Sequence, residues 1–244
     1  MPSQKLIRAL GYPYSSPRGD YLFRNGNVEN LDKEFNLEGR TPVLAVGSNR
    51  APEQLHRKFG NNQTIPVTEL ALNDYDVVYS AHITSYGSVP ATLCFSQGAT
   101  VKLALNWLKP NQLEIMHRTE AVGFNYDYCK LNKLSAQPEI PYENLSVGCY
   151  IARRGAICIN GKPVALSAVA ASNRGFSEMN QTDVIKHVKT LYGNGDELET
   201  WLAQMISNPQ LREEVTKKMG KDAMPIVLPN AKNMDTSLAS KRVV

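Results

Sequence analysis

The segment TPVLAVGSNRAPEQLHRKFG, residues 41–60, contains the clearest strand–turn–helix pattern in the sequence. Its apolar run at 43–46 predicts a strand that is buried on both faces, and the small residues at 47–49 break that run. A helix is predicted to follow, with Asn49 as its N-cap and Gly60 as its C-cap. Such a junction directs several backbone N–H groups toward one point, which suits an anion or a developing oxyanion. An ordinary connection is the alternative.

Composition and charge indicate a folded globular protein. The 244 residues are 42% hydrophobic and 20% charged, which is enough apolar chain to bury a substantial core. Lysine and arginine number 27 against 23 aspartates and glutamates, and the basic residues are scattered along the chain. Because a nucleic-acid surface usually needs a clustered basic stripe, nucleic acid is not expected as a partner.

Cysteine spacing and hydropathy bear on metal, redox and membrane roles. The four cysteines show no CxxC spacing, which argues against a zinc site and predicts free thiols in the core. No secretory segment and no apolar run of membrane-spanning length is visible. The sequence therefore predicts a cytoplasmic protein with no membrane partner, and it leaves the oligomeric state open.

The rest of the chain alternates between strand-like and helical segments, which predicts a single mixed α/β architecture. Residues 1–40 are predicted to form an N-terminal extension on the surface, with a short strand near 21–23. A core domain is expected over 41–193, with C-terminal helices and a tail over 194–244 packed on it. The predicted strands are 65–72, 76–83, 89–95, 101–107, 126–131 and 147–152, with a hairpin over 156–166 that turns at Asn160-Gly161, and the predicted later helices are 110–120, 183–191, 196–206 and 209–219.

Four histidines, His56, His82, His117 and His187, are candidates for acid–base chemistry. None belongs to a recognisable triad, and no GxSxG elbow supplies a serine nucleophile, so surface or core positions are the simpler interpretation. Glu114 and His117 share a helix face at ExxH spacing, but the second copy that a metal-binding bundle needs is missing. The sequence predicts no metal site, and a metal hydrolase that uses this pair is a minor alternative.

Glu120 is the carboxylate with the most suggestive surroundings. It ends the predicted helix that starts at Pro110, and the apolar loop AVGF at residues 121–124 follows it. A glutamate led into an apolar loop is shielded from water and can act as a proton shuttle. A solvated position at the end of the helix is an equally good interpretation of the local sequence.

Together these segments resemble the γ-glutamylcyclotransferase-like superfamily, whose members carry a Gly-Ser-Asn loop after the first core strand and a glutamate on a later segment. The loop here is Val46, Gly47, Ser48 and Asn49, and the glutamate is Glu120. The resemblance covers roughly residues 42 to 128 through the joint order of several blocks. Val46 stands where the family has an aromatic residue, so the family's substrates do not carry over directly.

The resemblance implies an α+β fold with a mixed, mainly antiparallel, barrel-like β core, flanking helices and a helical C-terminal part. It implies cyclising cleavage of a small-molecule γ-glutamyl amide to 5-oxoproline and a free amine, with no cofactor. Glu120 would be the general acid and base. Substrate would be bound by Val46, Gly47, Ser48, Asn49, Ser88 and Tyr126, and Arg174 is a further polar candidate. For Tyr126 the alternative is a core position, and for Ser88 and Arg174 it is a simple surface position. The alternative function is a non-catalytic small-molecule binding or interaction protein on the same scaffold.

Overall fold

The fold is organised on one large mixed β-sheet, seen in a computed structural model that describes residues 3–132, 134–137 and 146–233. Within those residues twelve strands join this sheet and two form a separate hairpin. The strands are β1 Tyr21–Arg24, β2 Asn27–Glu29, β3 Thr41–Ala45, β4 Thr64–Tyr79, β5 Ala91–Leu108, β6 Tyr126–Leu131, β7 Ala136–Gln137, β8 Val147–Ala152, β9 Cys158–Ile159, β10 Lys162–Pro163, β11 Ala165–Leu166, β12 Ala171–Ser172, β13 Glu178–Met179 and β14 Ala231–Asn233.

Six α-helices and one 3₁₀ turn, Ser48–Arg50, accompany the sheet in the described part of the chain. Proline opens α3 and α6, and asparagine side chains cap α4 and α6, as the sequence signals for helix starts require. The helices predicted near the C-terminus are confirmed as α4 to α6. The helices are α1 Gln4–Leu10, α2 Pro52–Phe59, α3 Pro110–Thr119, α4 Gln181–Tyr192, α5 Leu198–Ser207 and α6 Pro209–Lys221.

The strand order of the main path is β13-β11-β4-β5-β3-β8-β6-β14. Its pairings are antiparallel except for β3 with β8 and β11 with β13. The predicted mixed, mainly antiparallel core is therefore confirmed. The terminal strands β13 and β14 do not pair with each other among the described residues, so the sheet is open and the expectation of a barrel-like core is not met by a closed barrel.

The longest strands differ from their predicted lengths, because turn-forming residues produce irregularities inside them. The pair at 73–74 was expected to separate two strands, but β4 continues through it with a shift in register between Asn73 and Tyr75. Asp74 has a φ of 64°, and its Oδ1 accepts a hydrogen bond of 2.8 Å from the Gly98 N–H. A short polar residue that tolerates a left-handed conformation can form a β-bulge as readily as a turn.

The sheet has a buried layer on each face, and the alternation of β3 divides its side chains between them. Val43 and Ala45 pack with residues of α2 and α3, while Leu44 packs with residues of α4, α5 and α6. The prediction that β3 is buried on both faces is confirmed. The end of β3 therefore lies between the two layers of helices.

The N-terminal residues are more than a surface wrapping. The predicted strand at 21–23 is confirmed as β1, which pairs with both β2 and β4, and its first three side chains are buried. Helix α1 packs against α5. The proposed division of the chain at residues 40 and 193 stays a prediction. Among the described residues, no helix combines the length and the apolar character that a membrane crossing requires.

Candidate active site

A cavity of about 460 Å³ opens where β3 ends. Its wall includes the loop at 46–49, the end of α3, the start of β5 and the first turns of α6. Pockets of this size hold small molecules. Of the residues predicted to form the site, Glu120, Val46, Gly47, Ser48, Asn49 and Tyr126 all line this cavity.

Glu120 lies at the end of α3, where the helix stops and the chain turns into the cavity wall. It is the C-cap residue, and the next residue, Ala121, has a φ of 50°. The Glu120 side chain is 15% exposed. Its Oε1 accepts a hydrogen bond of 2.8 Å from the Asn49 side-chain amide and a second one from the Lys58 ammonium group. Its Oε2 has no hydrogen-bond partner among the described residues and is open to a ligand.

Lys58 reaches Glu120 because α2 and α3 pack against each other. The Lys58 side chain is 6% exposed, so its charge is compensated by Glu120 and not by water. Lys58 and Asn49 together fix one oxygen of the carboxylate and leave the other free. Lys58 was not among the residues predicted to form the site, since nothing in the sequence marks it apart from its neighbours in α2.

The loop between β3 and α2 forms the 3₁₀ turn, with Gly47 as its N-cap and no side chain capping it. The first N–H groups of such a turn have no partner inside the turn. Asn49 was predicted to cap α2, but the N-cap is Ala51. The Asn49 side chain instead holds Glu120, while its backbone carbonyl accepts a hydrogen bond of 3.0 Å from Asn106.

Four tyrosines, Tyr12, Tyr86, Tyr126 and Tyr150, line the cavity around Glu120. Burial raises the pKa of each hydroxyl above its ordinary value, and the negative charge of Glu120 adds to the rise. The hydroxyls are therefore neutral at physiological pH. Two of them bind the backbone of the same residue: the Ala91 N–H donates to Tyr12 at 2.9 Å, and Tyr126 donates to the Ala91 carbonyl at 3.2 Å.

Tyr12 occupies the space directly beside Gly47. A Cβ atom built on Gly47 would lie 2.0 Å from the Tyr12 hydroxyl oxygen, so any larger residue would collide with it. Tyr12 is 6% exposed and has little room to move away. It comes from the N-terminal stretch that was predicted as a surface extension, and weak periodicity there offered no sign of a buried aromatic.

His82 contributes a neutral imidazole to the cavity wall. Burial lowers its pKa to about 3, with the positive charge of Arg154 adding to the effect. Its Nδ1 is 2.8 Å from the Ser80 hydroxyl, and its ring packs edge-on against Tyr126 with the centroids 5.6 Å apart. The imidazole is uncharged over the whole range in which the protein would work.

Two predicted polar candidates do not line the cavity. Ser88 is fully buried, and its hydroxyl donates to the Ala9 carbonyl at 2.9 Å. Arg174 is not at a simple surface position either, because its guanidinium is paired with the buried Asp76. We therefore leave both residues out of the site that is proposed below.

The remaining histidines, His56, His117 and His187, and Glu114 of the ExxH pair do not line the cavity. The Nδ1 atom of His117 is 2.9 Å from the Tyr150 hydroxyl, and its ring packs on Tyr128. Glu114 is exposed on the outer side of α3, and His56 is exposed on α2. Over the described residues, no group of three or more histidine, cysteine, aspartate or glutamate side chains is arranged to hold a metal ion.

Comparison with solved structures gives a distant likeness. No protein-family model and no curated protein matches the chain. A solved structure named "Gamma-glutamyl cyclotransferase" is similar over 78% of this chain and 91% of its own, with 15% sequence identity and a TM-score of 0.39. A likeness of this strength does not establish a family or a function for the chain.

Proposed function

We propose that the protein catalyses the cyclising cleavage of a γ-glutamyl amide to 5-oxoproline and a free amine. The observation that carries this proposal is the meeting of Glu120 and the loop at 47–49 in one cavity, joined by the hydrogen bond from Asn49 to Glu120. A carboxylate and the first N–H groups of a 3₁₀ turn in one cavity suit proton transfer at one atom and charge stabilisation at another.

The reaction needs no nucleophile from the protein, because the substrate attacks itself. The α-amine of the glutamyl group forms a bond to the side-chain carbonyl carbon, which closes a five-membered ring, and the carbonyl oxygen becomes an oxyanion. When the oxyanion collapses, the bond from that carbon to the leaving nitrogen breaks. The proton removed from the attacking amine is delivered to the leaving nitrogen, so that atoms and charge balance. Binding in the bent conformation supplies much of the rate, as in other intramolecular reactions.

Glu120 is suited to carry this proton. Its Oε1 is held by Asn49 and Lys58, so the carboxylate cannot rotate freely, and its open Oε2 can accept the proton from the amine and return it to the leaving nitrogen. The neutral tyrosines around it do not compete as bases. The N–H groups at the start of the 3₁₀ turn are the proposed donors to the oxyanion.

The alternative is a non-catalytic protein that binds a small molecule with an ammonium group. The ion pair between Glu120 and Lys58 favours it, because a carboxylate that already holds a cation binds charge more readily than it moves protons. Such a protein would bind γ-glutamyl compounds in the same cavity without converting them.

The test is to incubate the purified protein with γ-glutamyl amino acids, γ-glutamyl amines and glutathione and to measure 5-oxoproline. We expect Glu120→Gln to lower kcat by about 10²- to 10⁴-fold, the usual range for a general acid–base group. Glu114→Gln, an exposed change on the same helix, is the control and is expected to retain activity. A folded Glu120→Gln protein with the wild-type rate would exclude the proposed role. Binding without turnover by the wild type would favour the alternative.

A further inference from the structure

We propose that a second cavity, which shares only Tyr12, Val46 and Gly47 with the Glu120 cavity, binds a small anion that carries two negative charges. This inference is independent of the chemistry proposed at Glu120. The second cavity has a volume of about 720 Å³, which is in the range of small-molecule sites. Neither Glu120 nor Lys58 lines it, so its ligand is distinct from a substrate held at Glu120.

Three segments of the chain meet around the second cavity. The N-terminal strap, residues 11–18, contributes one wall, and the end of β3 with the turn that follows it contributes another. The third wall is the segment 168–170 beside β5. The Lys102 N–H donates to the Ala170 carbonyl at 2.8 Å, which joins this third wall to β5. The cavity is therefore enclosed by segments that lie far apart in the sequence.

Arg50 is fixed in the wall, but part of its hydrogen-bonding capacity is unused. Its Nη2 donates to the Pro17 carbonyl at 3.1 Å and to the Glu69 carboxylate, which also accepts from the Gly19 N–H at 3.4 Å. The Arg50 side chain is 17% exposed. Among the described residues, its Nη1 has no hydrogen-bond partner, and its buried Nε has none either. Because a donor without an acceptor is costly inside a protein, a ligand that supplies acceptors is favoured beside Arg50.

Arg18 and Lys102 are two further cations in the wall of the second cavity. Lys102 on β5 pairs with Ala71 of β4, two residues after Glu69. Because side chains two residues apart lie on the same face of a sheet, Lys102 and Glu69 share a face. Both Arg18 and Lys102 are exposed, and in the described part of the chain neither forms an ion pair.

The wall of the second cavity therefore carries an excess of positive charge. Glu69 compensates Arg50, whereas Arg18 and Lys102 have no counter-charge within the wall. The Asp20 carboxylate accepts a hydrogen bond of 2.7 Å from the Glu69 N–H, but Asp20 does not line the cavity. A concave site with two uncompensated cations attracts a ligand of matching charge. A phosphate ester and a small dicarboxylate both have the charge and the oxygen acceptors that this wall requires.

The experiment measures the binding of three probes by isothermal titration calorimetry at pH 8 and constant ionic strength. Inorganic phosphate and malonate are dianions, whereas dimethyl phosphate is a monoanion with the geometry of phosphate. We expect at least one dianion to bind about 10-fold more tightly than dimethyl phosphate. The order of phosphate and malonate distinguishes a phosphate ester from a dicarboxylate as the ligand class.

Variants locate the bound anion. The double variant Arg18→Gln/Lys102→Gln should weaken dianion binding by about 10-fold and bring the ratio to dimethyl phosphate toward 1. Both side chains are exposed, so this change does not depend on the stability of the core. Arg50→Gln should weaken binding at least as much, because it removes the fixed guanidinium. Arg24→Gln is the matched control, since Arg24 is an exposed arginine that lines neither cavity.

Three results would overturn the site. One is a wild type that binds no dianion more tightly than dimethyl phosphate. Another is undiminished dianion binding in Arg18→Gln/Lys102→Gln. The third is loss of dianion binding in Arg212→Gln, because Arg212 lines the Glu120 cavity and not the second one. The titration requires no turnover, so a failure of the proposed γ-glutamyl chemistry leaves its result unchanged.

Discussion

The buried carboxylate of Asp76 on β4 and the partly buried carboxylate of Glu120 after α3 are each paired with a cation, but in opposite ways. Asp76 is fully buried, and Arg174 binds both of its oxygens, with Nε at 2.8 Å from Oδ2 and Nη2 at 3.1 Å from Oδ1. The Val77 N–H also donates to Oδ1 at 2.8 Å. Glu120 places both of its protein contacts on one oxygen, leaves the other open and lines a cavity.

The difference separates a carboxylate that supports the fold from one that can meet a ligand. A structural pair repays the cost of burial only when its acceptor positions are satisfied, and Asp76 meets that condition. Glu120 uses one of its two oxygens for contacts with the protein, and its side chain remains partly accessible. The planar guanidinium of Arg174 can bind both oxygens of Asp76 at once, whereas the ammonium of Lys58, a point charge, contacts one oxygen of Glu120. Burial and an ion pair alone do not distinguish the two carboxylates, whereas an open oxygen in a cavity does, and the proposed role of Glu120 requires that oxygen.

The largest expected effect tests this division through stability. Asp76→Asn should lower the free energy of unfolding by about 3 kcal/mol, because it leaves the guanidinium of Arg174 without its buried counter-charge. Glu120→Gln should cost less, about 2 kcal/mol, because it also leaves the Lys58 ammonium without its counter-charge, but that ammonium belongs to a side chain that lines the cavity, where water can solvate it. Urea denaturation of the two variants against the wild type measures both values. Equal losses would contradict the distinction between the two sites.

The next largest expected loss of stability tests whether the cavity wall around Glu120 is loosely packed, since one oxygen of Glu120 has no protein partner among the described residues. Gly47→Ala places a Cβ atom where the Tyr12 hydroxyl lies, so it should lower the free energy of unfolding by about 2 kcal/mol. Tyr12→Phe removes the colliding atom and should cost less in the Gly47→Ala background than in the wild type. A double-mutant cycle by thermal unfolding measures this coupling. Additive losses would show that the wall accommodates the change without Tyr12.

The effect that is smallest near neutral pH, and that grows as the pH falls, concerns His82 in the cavity wall. The pKa of His82 is lowered by burial from an ordinary value of 6.5 to about 3. As the pH falls below about 6.5, His82 becomes protonated in the unfolded chain, whereas in the folded protein it stays neutral until about pH 3. The contribution of His82 to stability is therefore present above pH 6.5 and lost through this window, by at most about 1.4 kcal/mol per pH unit.

Urea denaturation at pH 7, 6 and 5 checks this slope. His82→Gln should flatten the decline, and the exposed His56→Gln serves as the control. Burial also lowers the pKa of His117, which adds a slope of the same sign that both variants retain. An unchanged slope in His82→Gln would mean that His82 takes up its proton in the folded state as readily as in the unfolded chain.

Much of the local structure could be predicted from the sequence, because its causes are local. Alternation and apolar runs predicted β6 and β8 with their observed bounds. Asn160 and Gly161 both have the positive φ that a type I′ turn needs. Errors arose where one residue type serves two purposes. Asp74 forms a bulge where a turn was expected, and Asn49 holds Glu120 where a helix cap was expected.

The amino-acid sequence by itself determined the strand β3 that leads into the Gly47 loop, the helix α3 whose C-cap is Glu120 and the small apolar loop between that helix and β6. These features depend on neighbours a few residues apart. The tertiary structure alone decided that Lys58 pairs with Glu120, that Tyr12 fills the space beside Gly47 and that Arg212 enters the same cavity. Such meetings depend on how the helices pack on the two faces of the sheet, and the burial of many distant side chains sets that packing together.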